Sequence, residues 1–324
     1  MISTGRLIRA IAMVLAGLVS ASATGQSSFP SRPVTLVVPY PPGGATDNIA
    51  RLVSKRLAEK LGQPVIVQNK PGAATNIASA QVAKAAPDGH TLLLVTLAFA
   101  SNRWLFSKPG YKVEEFAPVA QLVRIPVVLS VGAGSDMRTF DDFAKRARGG
   151  PGSVNVGNPG AGAAPTLACD LLRVKHDLPF ATIPYQGSAQ LLTDILGGHV
   201  PVACDTVSAQ LPFLRQGKLV PLVVLGSTRS ALLPNVPTAE ELGIKDVAAD
   251  GWMGVVAPAG IAGSTLQLLN RYLREIAEEP AVREQITSLG LEPKTGSVAE
   301  FGAWIAQETD RWMSLVMQLG LTPQ

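Results

Sequence analysis

Val34-Thr-Leu-Val-Val38 runs apolar and β-branched without a charge, the pattern of a strand buried on both faces. Pro41-Pro42-Gly43-Gly44 stops it. From Asp47 to Leu61 the apolar residues Ile49, Val53, Leu57 and Leu61 recur on one helical face, and Gly62 ends the period. Val65 to Val67 is a second short strand. Asn69-Lys-Pro-Gly72 then turns into a helix predicted over about Asn76 to Ala86, and Asp88-Gly89 turns into a third strand, Thr91 to Thr96. This β-α-β-α-β order predicts an α/β protein built on a parallel sheet covered by helices.

A second α/β set follows. Val119 to Val131 reads as a long strand interrupted by Pro126, and Phe140 to Arg148 as a helix. Ser153 to Gly157 is a strand, followed by a Gly-rich turn and a helix from about Pro165 to Val174. Thr182 to Tyr185, Val200 to Cys204 and Leu219 to Leu225 are strands with helices between them. After Trp252 to Ala257 the pattern is helical to the end, with capping-box patterns at Ser264–Gln267 and Ser297–Glu300. Phe301, Trp304, Ile305, Trp312, Leu315 and Val316 form a packing stripe along the last helix.

The N-terminus carries a different pattern. Arg6 and Arg9 precede a ten-residue apolar run, Ala10 to Val19, and Ala21-Ser22-Ala23 is an A-x-A cleavage signal. Residues 1–23 therefore read as a signal peptide, too short to span a bilayer, and the product is expected in the periplasm. Export permits a disulfide between Cys169 and Cys204, although both also suit a buried apolar site.

The 324 residues allow two domains. A net charge of +4 with 5% aromatic residues does not describe a nucleic-acid-binding surface. The sequence contains no G-x-S-x-G elbow and no GxxxxGK[ST] loop. His90, His176 and His199 stand far apart, without metal-ligand spacing. Gly157-Asn-Pro-Gly160-Ala-Gly162 breaks the dinucleotide fingerprint. No catalytic residue, metal or cofactor is expected.

Four strand-to-helix turns are rich in small residues: Tyr40–Asp47, Pro71–Asn76, Asn158–Ala164 and Tyr185–Ala189. Each places the free amides of a helix start at the carboxyl edge of a sheet, where anions bind and where ligands of open α/β sheets sit. None of the four contains Arg, and Lys70 alone adjoins one. An anion there would be held by amides, hydroxyls and water. The same turns also serve as ordinary βα connections. Asp47 can cap the first helix. Asp205, ending a strand, can cap the next helix or accept a ligand ammonium or hydroxyl.

Val38-Pro-Tyr-Pro-Pro-Gly-Gly-Ala-Thr-Asp-Asn-Ile-Ala-Arg51 resembles the V-P-[FY]-P-P-G-G-x-x-D-x-x-A-R signature of tripartite tricarboxylate transporter substrate-binding proteins, the Bug receptors. Further matching blocks include Asn69–Ala73 with Asn76-Ile77, Ala86–Gly89, Phe116–Val119, Pro184–Ala189, Thr193–Gly198, Leu233–Thr238 and Gly251–Gly254. The resemblance implies a two-lobed type II periplasmic binding protein, each lobe a mostly parallel sheet flanked by helices. It divides the chain into lobe 1 (30–124 and 251–324) and lobe 2 (125–250), with crossings near Arg124 and Asp250.

The implied function is capture of a small organic carboxylate between the lobes, for a tripartite transporter or as an orphan receptor. Membrane transporter subunits are the expected partners, and the chain itself is expected to be a monomer. An enzyme on the same fold, or a sensor that docks a membrane kinase, are the alternatives. The expected ligand contacts are Tyr40, Pro42, Gly43, Gly44 and Asp47 in the first turn, and Ala73, Ala74, Thr75 and Asn76 in the second. Thr96 and Ala98 follow the third strand. In lobe 2 they are Asn158, Gly160, Ala161, Thr166, Tyr185, Gly187, Ser188, Ala189 and Asp205. The chain departs from the family pattern at Asn158-Pro159 and at Thr166, where His is common. Leu97 and Phe99 lie in the predicted loop 96–101. A side chain from that loop in the cleft would favour a carboxylate with an apolar or aromatic body over citrate.

Overall fold

The computed structural model describes residues 29–160 and 163–319. Residues 1–23, expected from the sequence to be a signal peptide, lie outside the described residues, as do Ala161 and Gly162.

The first sheet begins with β1 (Val34–Val38), α1 (Ala45–Leu61), β2 (Val65–Asn69), α2 (Asn76–Ala83), β3 (Thr91–Thr96), α3 (Leu97–Leu105) and β4 (Phe116–Ile125). The chain then builds a second sheet through β5 (Val127–Gly132), α4 (Phe140–Ala147), β6 (Asn155–Asn158), α5 (Ala164–Lys175) and β7 (Ala181–Pro184). That sheet continues with α6 (Ser188–Leu196), β8 (Val202–Thr206), α7 (Val207–Arg215) and β9 (Leu219–Val224). It returns to the first sheet as β10 (Gly251–Pro258), α8 (Gly263–Glu278), α9 (Pro280–Ser288), β11 (Glu292–Pro293) and α10 (Val298–Leu319).

The strand orders are β11-β4-β10-β3-β1-β2 and β7-β6-β8-β5-β9. Both sheets are mixed. β2, β1 and β3 pair in parallel, as do β7, β6 and β8, while β10 runs antiparallel between β3 and β4, and β5 antiparallel between β8 and β9. Because β1, β2 and β3 point the same way, the turns that follow them share one edge. The turns after β6, β7 and β8 share an edge of the other sheet for the same reason.

Each sheet is buried on both faces. Val34, Leu36 and Val38 alternate toward Ile49, Val53 and Leu57 of α1 and Leu269 and Leu273 of α8, whereas Val37 and Leu93 belong to the core on the opposite face with Phe99 and Trp252. A fully buried Val or Leu contributes roughly 1.5–3 kcal/mol, so these alternations fix strand register. The stripe on α10 packs as expected, with Phe301 edge-on to Trp252 at 5.7 Å between ring centroids.

Four local expectations are corrected. α2 ends at Ala83, before Ala86-Pro87, because a residue preceding proline avoids the helical region. The segment 97–101 is not a loop but the start of α3, built from Leu97, Ala98, Phe99 and Ala100, with extended Thr96 at its N-cap. The chain after β10 is not all helical, since Glu292 and Pro293 pair with Arg124 and Val123 of β4. Ser264 lies inside α8, whose N-cap is Ala262, and so caps nothing. The Ser297 box does form: Glu300 N donates to Ser297 Oγ at 3.2 Å and Ser297 N to Glu300 Oε2 at 2.7 Å. Among the described residues, no helix is long and apolar enough to cross a membrane.

Candidate functional site

The first turn is organised by Asp47, the third residue of α1. Its Oδ2 accepts Gly43 N and Arg51 Nε, both at 2.9 Å, and its Oδ1 accepts Asn69 Nδ2 at 2.8 Å. The Arg51 bond, with those from Gly43 and Asn69, outweighs burial and lowers the Asp47 pKa to about 2. Its carboxylate is thus committed to shaping the turn. Gly43, at φ +90°, makes the bend, whereas Gly44 is an ordinary extended N-cap with no atom within 4 Å of where a Cβ would stand. A side chain is therefore disfavoured by φ at Gly43 and not at Gly44. Pro42, Gly43 and Gly44 are exposed.

The second turn is the most strained backbone in the described chain. After Gly72 at φ +135°, Ala73, Ala74 and Thr75 take φ +45°, +50° and +82°. Non-glycine residues in this region cost on the order of 1–2 kcal/mol each, and such outliers concentrate at functional sites. Thr75 N donates back to Gly72 O at 3.0 Å, and Ser79 Oγ donates to Thr75 O at 3.1 Å. The buried Asn102 of α3 donates from Nδ2 to Ala74 O at 2.6 Å and to Asn76 Oδ1 at 2.7 Å. The start of the same helix reaches the first turn, with Thr96 Oγ1 and Tyr40 Oη in a 2.8 Å hydrogen bond. Tyr40, Asp47, the 73–76 turn and Thr96 are therefore drawn together, with half-buried Ala98 on α3.

In the second sheet, Asn158 is buried and its Oδ1 accepts Gly160 N at 3.0 Å and Thr166 Oγ1 at 2.9 Å. Thr166 Oγ1 also lies 2.6 Å from Gly160 O. Its hydroxyl thus shapes the turn. Gly160, at φ +101°, is packed so closely on Tyr185 O that a Cβ would stand 2.6 Å from it. Tyr185 N donates to Asn158 O at 2.9 Å and Gly187 N to Pro159 O at 3.2 Å, which joins the two lobe-2 turns. Tyr185 Oη donates to Asp194 Oδ2 at 2.9 Å, away from the turn. Ala189 is exposed and Ser188 half-buried at the first turn of α6.

Asp205, the next-to-last residue of β8, lies at this edge and is fully buried. Its Oδ1 accepts Thr206 N at 2.7 Å, while Oδ2 has no hydrogen-bond partner. Burial raises its pKa to about 6, against the lowering effect of Ser188 and Thr206. The cap of α7 is Thr206, whose hydroxyl accepts Ala209 N at 3.2 Å, so Asp205 is not the helix cap.

Among the described residues, the helices that start at these turns, α1, α2, α3, α5 and α6, have no side-chain cap, as is also true of α8 and α9 elsewhere. By contrast Thr139 and Thr206 cap α4 and α7. Uncapped first turns leave backbone donors free and carry the positive end of the helix dipole. No hydrogen bond among the described residues joins the turns of one sheet to those of the other.

The crossings between the sheets are tied by ions. Arg124 donates to Asp250 (Nε–Oδ2 2.7 Å), Glu292 (Nη1–Oε2 2.9 Å) and Thr228 O (Nη2, 2.6 Å). Glu292 also accepts Ser230 Oγ at 2.6 Å and Ala231 N at 2.8 Å.

Leu97 and Phe99 are only 5% and 2% exposed and belong to the core. The apolar-body expectation for the ligand loses its premise, because helix formation turns both side chains inward. Cys169 and Cys204 are free and buried, with Cys204 Sγ donating to Pro165 O at 3.2 Å. A cavity of about 250 Å³ lies between α3 and α10, and one of about 900 Å³ lies beside Gly132–Met137; neither touches the four turns. Sequence reasoning passed over Asn69 and Asn102. Asn102, flanked by Ser101 and Arg103, carries no local pattern that sets it apart.

The family model described as "Tripartite tricarboxylate transporter family receptor" matches residues 49–321. Protein BugT of Bordetella pertussis is 34% identical over 318 residues, covering 97% of this chain and 98% of BugT. Among solved structures, R. palustris Rpa4515 with adipate is 30% identical with a TM-score of 0.74, covering 91% of this chain and all of that one. MatC (Rpa3494) from Rhodopseudomonas palustris with bound malate is 32% identical with a TM-score of 0.70, covering 89% of this chain and all of that one.

Proposed function

This chain belongs to the tripartite tricarboxylate transporter receptor family, and from that premise we propose that it is an exported receptor for a small organic carboxylate. The two sheets are the two lobes, 30–124 with 251–324 and 125–250, and the ligand sits between the turns at their edges. Membrane transporter subunits are its partners, it acts as a monomer, and it performs no chemistry on what it binds. Family and fold are those of solute-binding receptors.

The observation that supports this most directly is the set of uncapped helix starts at both sheet edges, in turns without Arg. Free amides and helix dipoles hold a carboxylate without a cation. Lys70, beside the second turn, is already engaged with Gln81 Oε1. The unpartnered Oδ2 of buried Asp205 adds a preference for a carboxylate that also carries an N–H or O–H donor.

A thermal-shift screen of the mature protein against adipate, malate, aspartate, citrate and aromatic acids tests the reading. Ligand at a hundred times its dissociation constant stabilises the folded form by about 2.7 kcal/mol. A raised melting temperature with one or more acids, and ligand recovered unchanged, is the expected result. No shift with any acid, or conversion of the ligand, overturns it.

A further inference from the structure

Asn102 lies two elements away in sequence from the turn it touches. That turn places four successive residues, Gly72 to Thr75, at positive φ, and three of them have side chains that oppose it. Such a conformation persists only where its surroundings over-determine it. The two strong bonds from Asn102 Nδ2, to Ala74 O at 2.6 Å and Asn76 Oδ1 at 2.7 Å, take up both amide protons, and Thr75 Oγ1 stands 3.4 Å away. Asn102 is itself 2% exposed and its helix is anchored at its other end by Thr96 to Tyr40. The bracket is therefore rigid on both sides.

What the turn presents is equally specific. Thr75 N and Asn76 N are bonded within the turn, to Gly72 O and Ala73 O. The N–H groups of Ala73 and Ala74 have no hydrogen-bond partner among the described residues, and both residues are exposed at the carboxyl edge of β2.

We propose that Asn102 is a positioning residue for ligand binding: it holds the left-handed Gly72–Thr75 turn in place before the ligand arrives, so that the Ala73 and Ala74 amides are fixed as donors for a ligand oxygen. The proposal rests on the carboxylate reading above. Fixing the donors in advance removes an ordering cost from binding. Asn102 touches no ligand and acts through the backbone of its neighbours.

Two readouts separate this role from packing alone. The first needs no ligand: NMR couplings that report φ at Ala73 and Ala74 in the free protein. The second is calorimetry with whichever acid raises the melting temperature most. Asn102→Ala is expected to lose the positive φ values and to bind about tenfold more weakly. Adding Ala73→Gly and Ala74→Gly to Asn102→Ala, which lets the backbone adopt the turn without strain, is expected to restore most of the affinity. Ala74→Val, exposed and folded with Asn102 intact, is expected to weaken binding because a β-branched residue resists the left-handed region; it reads the same device should Asn102→Ala fail to fold.

Undiminished affinity in Asn102→Ala or in Ala74→Val overturns the proposal, and so does unchanged φ at Ala73 and Ala74 in Asn102→Ala. Failure of the glycine pair to restore binding assigns Asn102 to packing and overturns it as well. If the wild-type protein binds no carboxylate, the receptor reading fails, while the couplings still decide whether Asn102 holds the turn.

Discussion

Arg124 and Asp250 meet in a two-pronged ion pair, Nε to Oδ2 at 2.7 Å and Nη2 to Oδ1 at 3.3 Å, where the chain passes between the two sheets for the first and second time. Gly226 packs against both partners and leaves no room for a side chain. Arg124→Met strands two largely buried carboxylates, Asp250 and Glu292, and is expected to cost about 3–5 kcal/mol in urea unfolding. Combining it with Asp250→Asn recovers part of that loss. Additive losses in the double variant would show that the two groups act independently.

Glu308 on α10 is fully buried, with Oε1 accepting Arg311 Nη1 at 2.6 Å and Oε2 unpartnered. Burial, resisted by Arg311, raises its pKa to about 7 from 4.5. A raised folded pKa means that the stability it confers is complete below about pH 4.5 and is lost as pH rises through 7. Glu308→Gln is therefore expected to stabilise the protein at pH 8, by about 3 kcal/mol at most, and to flatten the fall in urea midpoint between pH 5 and 8. An unchanged slope would refute the assignment.

Asp205 predicts a pH dependence of binding. Its pKa of about 6 leaves it ionised at neutral pH and protonated in mild acid. Affinity for a carboxylate with an N–H or O–H donor should fall as pH drops through 6, and affinity for one without a donor should not. In the unliganded protein the sign reverses: the stability tied to its raised pKa is present in acid and lost as pH rises through 6. Asp205→Asn removes both dependences. Calorimetry with malate and succinate at pH 5 and 7.5 checks the first, and unfolding midpoints check the second.

Gly43 and Gly44 should respond differently to the same change. Gly43→Ala places a side chain at φ +90° and is expected to destabilise by about 1 kcal/mol. Gly44→Val meets no atom and keeps an ordinary φ of −79°, so its unfolding midpoint should match wild type. Its side chain nevertheless stands beside the open first turn of α1, and carboxylate affinity should drop. Equal affinity in folded Gly44→Val would remove this turn from the site.

Much of the architecture was legible because strands buried on both faces leave uninterrupted apolar runs, as in Val34–Val38 and Thr91–Thr96, and because Gly62 marks its helix end with a left-handed residue. The candidate turns were legible as clusters of Gly, Pro and Ala. What holds them was not. Asn102 acts on Ala74 across 28 positions, and α3 has no side-chain cap to announce it. The two-residue strand β11 has no periodicity to detect, since its only signal is its pairing with β4. Asp47 looked like a cap or a ligand contact, and its bonds to Gly43, Arg51 and Asn69 depend on tertiary placement that no local pattern encodes.

The position of β10 sets an order of assembly. It fills the middle of the first sheet, between β3 and β4, yet it is made only after every strand of the second sheet. A chain emerging from the ribosome can complete β5 to β9 while β3 and β4 still lack their shared neighbour. The first sheet closes only when residues beyond 250 arrive, and loop closure over that distance is slow compared with local pairing. Until then its two halves expose unpaired edges. A nascent chain of this topology can therefore hold its second sheet complete while the first is still open at both sides of the gap that β10 will fill.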